Sequence, residues 1–180
     1  MFELKKTVAL VGMMGSGKSA IGKVISSILD VPFNDADIEI ERAAKLSIPE
    51  IFERHGEKFF RDKEDQVIKR LLKERPCVLA TGGGAFVNAK IRTTIKQYGV
   101  SVWLNADIET LWNRVKHKRS RPLLRTDNPR QTLTNIYIDR IETYSLADIT
   151  IESQGKSSLE EMANLVIKSL LDRNDLIERA

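Results

Sequence analysis

The residues Gly12-Met13-Met14-Gly15-Ser16-Gly17-Lys18-Ser19 carry the strongest chemical signal in the chain. They fit G-x-x-x-x-G-K-[ST] at every fixed position. Glycines at this spacing let backbone N–H groups converge on phosphate oxygens, and a helix starting here adds a partial positive charge. Lys18 is long enough to reach the β- and γ-phosphates of a nucleotide, and Ser19 offers its hydroxyl to Mg²⁺. Met14, Gly15, Ser16, Gly17, Lys18 and Ser19 are therefore the candidate nucleotide contacts. A glycine-rich turn without a ligand is the plainer alternative. An apolar run before the motif and a helical stretch, Lys18–Leu29, after it argue against that reading. A phosphate loop also serves GTPases, motors and regulatory modules. The chain has no N-K-x-D, and no apolar run ends in a metal-organising aspartate. The run Val78-Leu79-Ala80-Thr81 ends instead in Gly82-Gly83-Gly84, so another acid must organise the metal.

Asn34-Asp35-Ala36-Asp37 supplies acids. If this stretch is extended, Asp35 and Asp37 lie on the same side of it. A turn and helix cap would use the same residues. Beside a phosphate loop, one carboxylate suits the metal and another the attacking hydroxyl. The triple glycine lets a ligand approach the backbone closely. Arg61 has Glu64 and Asp65 at helical spacing, so a solvated ion pair competes with a binding role. Arg140 has a similar alternative. Arg119, Arg121 and Arg125 form either a solvated loop or a lid that brings positive charge onto phosphate. His55 and His117 lack metal-ligand spacing and read as surface or capping residues.

These residues need a scaffold that gathers them. Short apolar runs alternate with helical patterns, which predicts a parallel sheet covered by helices. The expected strands are Thr7–Val11, Val31–Asn34, Cys77–Thr81, Val100–Leu104 and Ile149–Glu152. Ile108, Leu111, Trp112 and Val115 mark one helix, and Leu159 through Leu171 another, with Ser157 and Glu160 at capping-box spacing. Phe60, Val67, Ile68, Leu71 and Leu72 mark a long helix before the third strand. Both tryptophans read as core packing. Two segments exceed a minimal sheet-and-helix pattern: a helical insertion at about 38–65 and an arginine-rich stretch at 117–129. Both suit flaps over a site at the strands' carboxyl ends.

The 180 residues suit one domain, with 42% hydrophobic and 30% charged residues, a balance that excludes a disordered chain. The net charge of +4 fits an anionic ligand at least as well as nucleic acid. The single cysteine, Cys77, excludes an internal disulfide framework. No apolar stretch approaches the roughly 18 residues of a membrane span. Lys5 and Lys6 before Thr7–Met14 faintly resemble a secretory signal, but Lys18 follows quickly and no A-x-A site is present, so the run reads as a first strand and the protein as cytoplasmic.

The ordered set GMMGSGKS, NDAD, FFRDKE, ATGGG, RPLL and R-x-x-x-Y-x-x-x-D resembles the shikimate kinases over about residues 7–152. The resemblance implies a P-loop fold of nucleoside-monophosphate-kinase type, with a five-stranded parallel sheet, an acceptor-binding insertion and a lid. It implies transfer of the γ-phosphoryl group of ATP to the 3-hydroxyl of shikimate, with Mg²⁺, on the way to chorismate and the aromatic amino acids. It implies catalytic roles for Lys18, Asp37 and Arg121, and metal binding by Ser19 and, through water, Asp35. It also implies acceptor contacts at Asp37, Arg61, Gly82, Gly83 and Arg140, with Glu64 supporting, and contacts to ATP from Arg121 and, beside adenine, Arg114. The expected partners are shikimate and ATP, for a monomer that engages neither nucleic acid nor membrane. Gluconate kinases, nucleoside monophosphate kinases and an ATP-dependent nucleic-acid-binding module are the rival readings. The chain lacks the aromatic-basic interleaving that the last would favour.

Overall fold

The computed structural model describes residues 2–118, 121–153 and 156–179. Its strands are β1 (Phe2–Leu4), β2 (Thr7–Val11), β3 (Phe33–Asp35), β4 (Val78–Ala80), β5 (Gly99–Ala106), β6 (Ile149–Ser153) and β7 (Ile177–Arg179). The helices are α1 (Lys18–Leu29), α2 (Ala36–Ala44), α3 (Ile48–Lys73), α4 (Ala89–Tyr98), α5 (Ile108–Val115), α6 (Pro129–Tyr144) and α7 (Leu159–Leu171). Five strands form one sheet in the order β3-β4-β2-β5-β6, and every pairing in it is parallel. The expected α/β architecture is thus the observed one.

The central strand β2 is buried along its whole length. Side-chain alternation splits it between two cores. Ala9 and Val11 join Phe60, Ile68 and Ile91 on one face, whereas Val8 and Leu10 join Ile25, Val166 and Leu170 on the other. Burial on both faces explains why the strands read as continuous apolar runs. Trp103 is buried, and Trp112 packs half-buried against the same core.

Several boundaries differ from the sequence expectation. Val31 donates its N–H to the Ser26 carbonyl at 3.1 Å and closes α1, so β3 starts only after Pro32. Strand β4 is trimmed to Val78–Ala80, while β5 extends at both ends because it pairs with β2 on one side and β6 on the other. The capping box of α7 is Ser158 with Glu161, not Ser157 with Glu160. Paired serines before paired glutamates support both registers, and the apolar stripe fixes the rotation of a helix rather than its first residue. The long helix starts at Ile48, well before Phe60, with a capping box of Ser47 and Glu50, and it kinks at Gly56, where φ is 79°. The segment 38–65 is therefore most of α2 plus the first two-thirds of α3. The antiparallel ribbon of β1 and β7 was not expected at all.

Candidate active site

The loop after β2 delivers the phosphate-binding motif to the carboxyl edge of the sheet. Gly17 takes the cap position of α1 in the left-handed region, at φ 93°, and no side chain caps the helix. The first-turn N–H groups are left for another acceptor, as anion sites require. Lys18 is buried, and its Nζ donates to the carbonyls of Gly12 and Met13, each at 2.8 Å. Burial pulls its pKa down to about 8, partly offset by the negative charge of Asp37. Ser19 donates its hydroxyl to Asp35 Oδ2 at 2.5 Å. Arg114 Nη1 donates to the Gly15 carbonyl at 3.0 Å, so α5 braces the loop from behind.

The acid pair does not share one extended backbone. Asp35 ends β3 and caps α2, and its Oδ1 accepts from the Asp37 N–H at 3.0 Å. Asp37 therefore sits in the first turn of α2, one link beyond the cap. The capping reading is realised in Asp35. Burial pushes the Asp37 carboxyl pKa up, and the nearby Asp35 pushes the same way.

The acceptor side draws on more distant segments. Arg61 Nη1 pairs with Glu64 at 2.8 Å, and its Nη2 with Glu57 at 3.2 Å; Asp65 turns instead to Lys69. Glu64 is only 1% exposed, and burial raises its pKa against the pull of Arg61. The triple glycine passes between these groups. A Cβ on Gly82 would lie 2.7 Å from Glu64 Oε1, and one on Gly84 2.6 Å from Arg61 Nη1. Any side chain there would displace the groups it packs against. Arg140 Nη1 and the Tyr144 hydroxyl both donate to the Gly83 carbonyl. The third member of the R-x-x-x-Y-x-x-x-D pattern plays a different part. Asp148 holds Ser101 through its N–H at 2.8 Å and its hydroxyl at 2.7 Å, tying the end of α6 to β5.

Two cavities meet here. A cleft of about 440 Å³ is lined by the phosphate loop, Asp35, Arg114 and the start of α7. A smaller space of about 70 Å³ lies between Arg61, Arg140, Phe52, Phe60, Pro122 and Leu123. Met14, Asp37, Gly83 and Arg121 line both. Arg121 thus faces both cavities from the arginine-rich stretch. Arg125 lines a neighbouring cavity of about 640 Å³ beside Trp112 and Pro129, which shares Lys118 and Arg121 with the phosphate-loop cleft but contains no phosphate-loop residue itself. Arg119 lies outside the described residues. His117 is exposed, and exposed His55 stacks on Phe59 with ring centroids 4.6 Å apart. Among the described residues no three His, Cys, Asp or Glu gather as a metal cage.

A sequence model of the family described as shikimate kinase matches residues 14–171. The chain belongs to the shikimate kinase family. The curated shikimate kinase of Ruegeria pomeroyi is 56% identical over 175 residues, covering 97% of this chain and 90% of that one. The solved structure of a shikimate kinase from Acinetobacter baumannii in complex with shikimate superposes with a TM-score of 0.90 at 36% identity, covering 94% of each chain. A deoxyadenosine kinase from M. mycoides, at 16% identity and a TM-score of 0.58 over 92% of this chain and 98% of that one, shares the fold alone. Shikimate kinase motifs drew attention to nearly every polar group at the site. They gave no role to the Tyr144 hydroxyl. Its position four residues after Arg140, hence on the same helix face, is the signal that was there to use.

Proposed function

We propose that the chain transfers the γ-phosphoryl group of ATP to the 3-hydroxyl of shikimate, yielding shikimate 3-phosphate and ADP. The observation that carries this reading is the position of Asp37. It lies on the wall shared by the two cavities, as does Arg121, with Lys18 toward one and Arg61 and Arg140 toward the other. An acceptor held on the second side by its carboxylate presents a ring hydroxyl to the first.

Arg61 and Arg140 bind that carboxylate, because a guanidinium grips it through parallel N–H bonds. The backbone at Gly82 and Gly83 approaches the same group. Asp37 orients the 3-hydroxyl and accepts its proton, a task that its raised pKa favours. The hydroxyl oxygen bonds to the γ-phosphorus as the bond from that phosphorus to the β–γ bridging oxygen breaks. Lys18 and Arg121 stabilise the charge on the transferring group. Such cations are worth about 10³–10⁵ in rate, against about 10²–10⁴ for a general base. Ser19 and Asp35 offer the hard oxygen donors that Mg²⁺ takes, with nucleotide phosphates and waters completing its shell. When bound, the ion neutralises charge on the β- and γ-phosphate oxygens. Arg114 lines the same cleft as the phosphate loop, and the family pattern gives it a contact beside adenine.

The test is ADP release by the purified protein with Mg·ATP and, in turn, shikimate, gluconate and nucleoside monophosphates. Turnover with shikimate, and background rates with the others, is the expected result. Background release with shikimate overturns the reading.

A further inference from the structure

Tyr144 is the last residue of α6, is 1% exposed, and has no place in the chemistry described above. Its hydroxyl nevertheless ends on the Gly83 carbonyl, the same oxygen that accepts from Arg140 Nη1 at 3.0 Å. A carbonyl has two lone pairs, so it serves both donors at once. The hydroxyl also lies 3.9 Å from Met13 Sδ in the phosphate loop. The ring stacks on Trp103, with centroids 5.9 Å apart. Gly83 rests on the same loop, since a Cβ there would come within 3.0 Å of the Met14 nitrogen.

These contacts have a consequence for Arg140. A guanidinium carries five N–H donors on three nitrogens, so Arg140 can grip a carboxylate through Nε and Nη2 while Nη1 stays on the Gly83 carbonyl. The direction in which that grip points therefore depends on where the part-buried Gly83 carbonyl is held. Tyr144 is the second donor on that oxygen and fixes it from the end of α6. We propose that Tyr144 is a positioning residue that holds the Gly83 carbonyl, and with it the glycine turn, so that Arg140, anchored there through Nη1, presents its other N–H groups to the acceptor's carboxylate. The inference rests on the acceptor being a carboxylate such as shikimate. Burial raises the tyrosine pKa, so the hydroxyl keeps its proton across the working range.

Tyr144→Phe tests this, because it removes the hydroxyl and keeps the ring on Trp103. Steady-state kinetics with shikimate and Mg·ATP should show the acceptor KM raised about tenfold, the size of one hydrogen bond lost. The kcat and the KM for ATP should change much less. Because the tyrosine acts through Arg140, the same substitution in an Arg140→Ala background should leave the acceptor KM unchanged from that of Arg140→Ala alone. An unchanged acceptor KM in the single variant overturns the proposal. So does an equal rise in the Arg140→Ala background, or a parallel rise in the KM for ATP, since each describes a residue that merely supports the fold. Wild-type turnover of shikimate, measured alongside, separates failure of this proposal from failure of the functional reading.

Discussion

The two halves of the site are built in opposite ways. The phosphate half comes from eight consecutive residues, and its ligand-facing groups are mostly main-chain N–H groups plus one lysine. The acceptor half is assembled from side chains on α2, α3 and α6, together with the glycine turn after β4. Main chain fixed by local geometry suits a group that every reaction cycle shares, the polyphosphate. Side chains on separate elements suit recognition of one particular molecule, because each can be set independently. The halves should therefore fail differently. The phosphate half should lose rate, and the acceptor half should lose affinity.

Lys18→Ala should have the largest effect, a fall in kcat on the order of 10⁴-fold with a modest change in acceptor KM. Asp37→Asn comes next. It keeps size and hydrogen-bonding shape but removes the base, so kcat should drop by about 10²–10³-fold. Arg140→Ala should raise the acceptor KM by roughly 10–100-fold while kcat moves only a few-fold, since the lost bonds hold a carboxylate that does not react. A kcat loss there as deep as that of Lys18→Ala would dissolve the division between the halves.

The smallest effect is a pH limb. Lys18 titrates near 8 in the folded protein against 10.5 for an ordinary lysine. Above pH 8 the free enzyme loses the cation that meets the phosphates, so kcat/KM for Mg·ATP should halve near that pH and decline further beyond it. Bound phosphates favour the charged form, so the corresponding limb in kcat should lie at higher pH. The contribution of this group to stability runs the other way. Between pH 8 and 10.5 the unfolded chain binds the proton more than the folded one does, so folding gains as pH rises through that window. A kcat/KM profile flat to pH 9.5 would show that Lys18 is not the titrating cation.

The same contrast explains what the sequence revealed. The phosphate half is legible at once, because its determinants are contiguous and its backbone geometry follows from them. The sheet is legible because strands buried on both faces must be apolar throughout. The acceptor half is another matter. Local spacing left Arg61 and Arg140 balanced between solvated ion pairs and binding groups, and Arg61 does pair with Glu64. Only the ordered family pattern favoured the binding role. What stayed hidden was set by contacts between distant segments. The Gly83 carbonyl joins residues 57 and 61 positions apart. The β1–β7 ribbon pairs Leu4 with Ile177 through strands too short to show alternation.

Asp35 joins the two halves through a single carboxylate. One oxygen takes the Ser19 hydroxyl, and the other anchors the first turn of the helix that carries Asp37. A cation drawing on the first oxygen would therefore pull on the anchorage of Asp37. Whatever tightens around the nucleotide is felt a few ångströms away by the group awaiting the alcohol. Replacing Asp35 would thus disturb both halves together, even though the side chain need never touch the organic substrate.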